Sequence, residues 1–204
     1  MSKSYLDKVY DVKGAEETRA LYDAWSESYE AEIAENGYAT PKRCAEALSA
    51  ALPDKDAPIL DFGCGTGLSG IALRQAGFTC IDGVDLSPDM LAKAKDKSLY
   101  RSLTVIDAGD PPPGDAGTYT AITAIGVIGS GAAPLSVLDQ LCAALVPGGL
   151  VCFSFNDHTL EDPAFENRVT ALVADGTLRM INRDYGPHLP ARNINSAVYV
   201  LEKT

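Results

Sequence analysis

Apolar positions recur every three to four residues over 14–36, where Leu21, Trp25, Tyr29 and Ile33 stand four apart, and this spacing predicts an amphipathic helix. A second helix is expected over 41–51, because Thr40 precedes a proline whose missing N–H suits a first helical turn. The period then changes. Residues 58–62 read Pro-Ile-Leu-Asp-Phe, a short apolar run that stops at glycines, followed by a helical pattern over 67–75 and a second strand-like run over 79–84.

The alternation continues with a helix over 88–97, strands over 103–106 and 118–125, a helix over 134–145 and a strand over 150–155. Strands that alternate with helices predict a parallel sheet covered on both faces. The end of the chain differs. After a helix over 163–174, strands over 177–184 and 195–202 are joined by a segment carrying Gly186, Pro187 and Pro190, with no room for a crossover helix. Those two strands are expected to pair antiparallel at the sheet edge. The fold class expected is α/β, a doubly wound, mostly parallel sheet of seven strands with an antiparallel last strand.

Composition adds boundaries. A chain of 204 residues, 46% hydrophobic and 22% charged, can bury one full core, so one domain is expected over 1–204, with N-terminal helices over 1–52 and the sheet over 53–204. The break at 110–117, with three consecutive prolines, is too short for a linker. No stretch approaches the roughly 18 apolar residues that cross a bilayer, and the opening MSKSYLDKVYDVKG lacks the apolar run of a secretory signal, so a cytoplasmic protein with no membrane partner is expected. Cys44, Cys64, Cys80, Cys142 and Cys152 are odd in number and lack C-x-x-C spacing, which argues against a disulfide framework and a zinc site, and no metal is expected. The net charge of −11 opposes a nucleic-acid partner, which would need a basic surface to displace counterions.

The chemistry gathers between Ile59 and Met90. Asp61-Phe-Gly-Cys-Gly-Thr-Gly follows a strand and opens a helix, so backbone N–H groups and the helix dipole converge on one ligand group. Gly63, Gly65 and Gly67 allow a ligand to touch the main chain. Asp85 ends the next strand in Gly-Val-Asp-Leu-Ser, where a carboxylate can accept hydrogen bonds from ribose hydroxyls. Together these define an adenosine pocket. The glycine spacing alone also fits a nicotinamide dinucleotide and hence an oxidoreductase, because Gly65-Thr-Gly-Leu-Ser-Gly70 satisfies G-x-G-x-x-G.

The run Ile59-Leu-Asp-Phe-Gly-Cys-Gly-Thr-Gly-Leu resembles motif I of class I S-adenosylmethionine-dependent methyltransferases, in which an acidic residue precedes G-x-G-x-G. Val84-Asp-Leu-Ser-Pro-Asp-Met-Leu is similar to the second motif of that family, Ile106-Asp-Ala to its adenine-edge motif and Val146-Pro-Gly-Gly-Leu-Val to the turn into its fifth strand. Trp25-Ser-Glu-Ser-Tyr-Glu and the N-terminal segment further resemble the Williams–Beuren-region methyltransferase-like proteins.

The resemblance implies a Rossmann-like core with N-terminal lid helices, S-adenosyl-L-methionine as cofactor, and methyl transfer to a small soluble acceptor; a module that binds the cofactor without turnover is the alternative. It implies that Gly63, Cys64, Gly65, Thr66 and Gly67 line the methionine moiety, with Asp61 reaching its ammonium directly or through water. Asp85 would hold the ribose, Leu86 and Met90 would flank the adenine, Asp107 would accept from its amine with the Ala108 N–H nearby, and Ile125 would complete the wall. Trp25 and Tyr29, with Tyr22, would form the lid, unless they are only the core face of their helix.

Methyl transfer is an in-line displacement in which alignment supplies much of the acceleration, so no catalytic residue is obligatory. If the acceptor must lose a proton, His158 after the fifth strand and His188 between the last two strands are the histidines available; each could equally be a plain loop residue. The run Gly126-Val-Ile-Gly-Ser-Gly-Ala-Ala stands where many relatives carry an acidic, asparagine-proline or paired-histidine element, which leaves the acceptor pocket glycine-lined.

Overall fold

The computed structural model of the chain describes Tyr5 and residues 14–129 and 131–204. The rest of the N-terminal segment and Ser130 lie outside the described residues.

Helices α1 (Ala15–Trp25), α2 (Tyr29–Glu35) and α3 (Thr40–Ala51) precede the first strand. There follow β1 (Ile59–Phe62), α4 (Leu68–Gln75), β2 (Ile81–Asp85), α5 (Pro88–Asp96), β3 (Ser102–Val105), β4 (Ala121–Ala124), α6 (Ser136–Ala144) and β5 (Leu150–Asn156). The chain ends with α7 (Asp157–Leu160), α8 (Pro163–Ala174), β6 (Leu178–Leu189), one 3-10 turn (Pro190–Arg192) and β7 (Ile194–Lys203). Two helix starts show their cause in the sequence. Ser87 Oγ accepts from the Met90 N–H ahead of α5, and the Asp162 side chain accepts from the Ala164 N–H ahead of α8, each followed by a proline in the first turn.

One sheet holds all seven strands in the order β3-β2-β1-β4-β5-β7-β6. The pairs from β3 to β5 are parallel, and β7 inserts antiparallel between β5 and β6. The order reverses between β1 and β4, which places a crevice at their carboxyl ends. Every residue of β1 and of β4 is buried, which explains why they read as continuous apolar runs rather than as alternating ones. One face packs Leu60, Ile122, Val151 and Phe153 against α6 and α8, and the other packs Ile59, Ile81, Ala121 and Cys152 against α3 and α4. Each such large side chain contributes about 1.5–3 kcal/mol on burial, so the central strands hold the crevice rigid. Among the described residues no helix is long and apolar enough to cross a membrane, and the five cysteines are unpaired.

The structure corrects the sequence reading in three places. Residues 14–36 form two helices instead of one. Ser26 Oγ donates to the Asp23 carbonyl and ends α1, a competition with helical bonding that serines favour. Strand β6 is longer than expected and runs through Gly186 and Pro187. It is an edge strand, where a proline costs no ladder bond, and its register shifts at Met180/Asn182 and Pro187/Leu189 absorb the irregularity. The short helix α7 after β5 was not anticipated. Asn156 caps it by accepting from the Thr159 N–H.

Candidate functional site

The loop after β1 is shaped by its backbone bonds to the neighbouring strand. The N–H groups of Gly63 and Cys64 both donate to the Val84 carbonyl, at 2.8 and 3.0 Å, so the loop folds over the end of β2. A Cβ on Gly63 would stand 2.4 Å from Val127 Cγ2, and Gly63 also has φ +71°; only glycine fits there. Gly65 differs. No heavy atom lies within 4 Å of where its Cβ would be, so this backbone faces open space.

That space is a cavity of about 500 Å³ at the carboxyl ends of β1, β2 and β4. Its floor is Gly63 to Thr66 and its far side is Asp85, Leu86 and Met90. Asp107 and Ala108 lie at one end, and Ile125, Gly126 and Val127 at the other. Tyr22 and Tyr29 close it from above. The structure thus brings Tyr29, Gly63, Cys64, Gly65, Thr66, Asp85, Leu86, Met90, Asp107, Ala108 and Ile125 to one cavity wall.

Asp85 stands where the loop and β2 meet. Its Oδ2 accepts from the Gly65 N–H at 2.8 Å and its Oδ1 from the Ser87 N–H at 2.9 Å. Burial pushes its carboxyl above the usual carboxylate range, against these backbone bonds. Thr66 Oγ1 is buried with no partner in hydrogen-bond geometry, although the Glu30 carboxylate is close enough to interact with it. An open backbone at Gly65, the buried hydroxyl of Thr66 and a carboxylate at Asp85 suit a ligand that carries an amino-acid end and a ribose.

Three residues of the expected set do not reach this wall. Asp61 is 1% exposed and is enclosed by hydroxyls: Ser69 Oγ (2.6 Å) and Tyr100 Oη (2.7 Å) donate to Oδ2, and Thr123 Oγ1 (2.8 Å) donates to Oδ1. It therefore supports the loop from beneath and does not line the cavity itself. Its carboxyl is raised, first by burial, while the three hydroxyls pull the other way. Gly67 caps α4 in the left-handed region at φ +94°, and a Cβ there would press on Tyr100 and Ala94. Trp25 is 1% exposed and donates from Nε1 to Glu32 Oε2 at 2.8 Å.

Trp25 is instead the anchor of the roof. It packs edge-on to Tyr29, at 4.8 Å between ring centres, within a cluster that includes Ile33 and Leu189. The roof is also tied to the floor by polar bonds. Ser87 Oγ donates to Asp23 Oδ1 of α1, and Lys97 Nζ donates both to Glu30 Oε1 of α2 (2.6 Å) and to the Thr66 carbonyl (2.8 Å).

The two histidines separate. His158 lies on α7, 3.9 Å from Glu161, and lines neither this cavity nor the smaller one beside it. His188 is 7% exposed and lines the smaller cavity, of about 60 Å³, which shares Tyr22, Tyr29, Tyr38 and Gly126 with the larger. Burial lowers the imidazole to about 4, so it is neutral near pH 7.

Several residues escaped the sequence reading. Thr123 left a signal, since a polar residue inside a buried apolar strand requires a partner. Tyr100, 39 positions from Asp61, left none, and neither did Lys97. Arg19, on the roof, is the only lysine or arginine among the described residues that line the main cavity.

A methyltransferase-domain model matches residues 36–196. The chain is 38% identical over 137 residues to methyltransferase-like protein 27 of Homo sapiens, covering 66% of this chain and 56% of that one. It is 43% identical over 70 residues to the 18S rRNA (guanine(1575)-N(7))-methyltransferase of Saccharomyces cerevisiae, covering 34% of this chain and 26% of that one. Its fold is similar to the crystal structure of a TehB-like SAM-dependent methyltransferase from Corynebacterium glutamicum. The TM-score is 0.62 at 24% identity, covering 89% of this chain and 99% of that chain. The chain thus spans about half, or less, of the length of the two sequence relatives.

Proposed function

The chain belongs to the methyltransferase-domain family of class I S-adenosylmethionine-dependent methyltransferases, and from that premise we propose that it methylates a small soluble acceptor. The observation that carries the choice of acceptor is the roofed cavity. Helices α1 and α2 cover the carboxyl ends of the strands, so an acceptor has to enter beneath this roof, beside the cavity of about 500 Å³ that takes the cofactor. One relative acts on ribosomal RNA, but a net charge of −11 opposes the approach of an RNA phosphate backbone.

S-adenosylmethionine, when bound, supplies an electrophilic methyl group on a sulfonium. Gly63 to Thr66 would receive its amino-acid end, Asp85 its ribose hydroxyls, and Leu86, Met90, Asp107 and Ala108 its adenine. Tyr22 and Tyr29 would cover the bound cofactor, and shielding from water favours displacement at a charged centre. Neither histidine lines the main cavity, and alignment of the acceptor is worth about 7–11 kcal/mol in favourable cases.

Calorimetric titration with S-adenosylmethionine, S-adenosylhomocysteine and NADH tests the cofactor. Binding of the first two without NADH is expected. Binding of NADH alone would overturn the reading and restore the oxidoreductase.

A further inference from the structure

Among the described residues, the small cavity beside Gly126 is lined by no acidic or basic side chain apart from His188, in a chain of net charge −11. Its walls are Tyr22, Trp25, Tyr29 and Tyr38, and its polar groups are Ser154, Asn156, Thr159 and His188.

Hydrogen bonding behind the cavity decides what His188 presents to it. Arg43 Nη1 donates to Ser196 Oγ at 3.0 Å. Ser196 is fully buried, and its own hydroxyl hydrogen has Thr40 Oγ1, 3.0 Å away, as its acceptor. Thr40 is equally buried, so its hydrogen goes on to His188 Nδ1 at 2.8 Å. The relay from Arg43 through Ser196 and Thr40 leaves Nδ1 as the acceptor, and the neutral ring carries its proton on Nε2. No partner for Nε2 occurs among the described residues. Asn156 is fixed in the same way. Its Oδ1 accepts from the Thr159 N–H and hydroxyl, both at 3.0 Å, which leaves Nδ2 as a second donor.

We propose that this chamber, of about 60 Å³, receives the carbonyl or carboxylate end of a small planar methyl acceptor, with His188 Nε2 and Asn156 Nδ2 donating to its oxygen. A cavity that holds a benzene ring has roughly 150 Å³, so the flat body lies toward the main cavity, past Tyr29 and Tyr38. The chamber adjoins the main cavity through Gly126, Tyr29 and Tyr38, so the far end of such a molecule points toward the methyl donor. The assignment rests on the reading of the main cavity as the cofactor site. His188 is then a recognition group rather than a base, which agrees with its lowered basicity. A Cβ at Gly126 would stand 2.6 Å from the Tyr38 hydroxyl, so the glycine keeps the two cavities in register.

The test uses the whole chain saturated with S-adenosylhomocysteine and titrated with acetophenone, benzoate and α-methylstyrene, the last having the outline of acetophenone without its oxygen. Acetophenone or benzoate is expected to bind at least about tenfold tighter than α-methylstyrene. His188→Phe should abolish that preference and His188→Gln should retain most of it. Long-range proton–nitrogen NMR should find the His188 proton on Nε2, a readout on the unmodified chain that needs no variant. Equal affinity for the three probes, no binding of any, an unchanged preference in His188→Phe, or a proton on Nδ1 would each overturn the proposal. S-adenosylhomocysteine binding in the same samples keeps the two readings apart: its absence in the unmodified chain counts against the cofactor site, whereas its presence with no probe preference counts against the chamber alone.

Discussion

The Gly65 N–H donates to Asp85 Oδ2 at 2.8 Å, so the carboxylate assigned to the ribose also holds the glycine loop in place. One residue couples the two halves of the proposed cofactor site. Asp85→Ala should therefore weaken S-adenosylhomocysteine binding by about a hundredfold, more than the loss of ribose contacts alone, since a charged hydrogen bond contributes about 1.5–3 kcal/mol. Asp85→Asn, which keeps one acceptor, should fall between. Calorimetry measures both, and unchanged affinity in Asp85→Ala would remove the assignment.

Asp61 acts at the next level down. Tyr100→Phe deletes the donor at 2.7 Å and is expected to cost about 1–2 kcal/mol in urea unfolding. Asp61→Asn cannot accept at both ends and should cost about 1–3 kcal/mol, because at least one buried hydroxyl loses its acceptor. Affinity for S-adenosylhomocysteine should fall less in either variant than in Asp85→Ala.

Acid should destabilise the fold through His188. Its folded value of about 4 lies below the ordinary 6.5, so the unfolded chain takes up the proton first as pH falls. The contribution is complete above about pH 6.5 and is lost between there and about pH 4, with about 2 kcal/mol disappearing between pH 7 and pH 5. In His188→Gln the urea-derived stability should be flatter over that window by this amount.

Lys97 should govern the roof. Its Nζ joins Glu30 to the Thr66 carbonyl on partly exposed ground, where an ion pair contributes at most about 1 kcal/mol to stability. Lys97→Met is expected to leave the melting temperature nearly unchanged, while hydrogen exchange over 15–35 quickens and stopped-flow dissociation of S-adenosylhomocysteine accelerates several-fold.

Strands β1 and β4 are legible because burial on both faces leaves a mostly apolar run, broken only by Asp61 and Thr123, and the glycine loop because its spacing is local. The end of α1 was not, since the four-residue spacing of Leu21, Trp25, Tyr29 and Ile33 continues across it and only the Ser26 back-bond reveals the stop. Pro187 and Gly186 suggested a loop, and their place in β6 follows from an edge position that only the assembled sheet defines. Asp61 illustrates the limit most clearly. The motif marked it as important, but its hydroxyl partners come from α4, β4 and the segment before β3, and sequence spacing encodes none of these meetings.

The most direct test of the central claim incubates the whole chain and S-adenosylmethionine with a cell extract divided by ultrafiltration into small-molecule and macromolecular fractions, and follows S-adenosylhomocysteine by mass spectrometry. Release that depends on the small-molecule fraction and fails in Asp85→Ala is the predicted result. Release with the macromolecular fraction alone, or none with either while the cofactor still binds, would contradict a small-molecule methyltransferase.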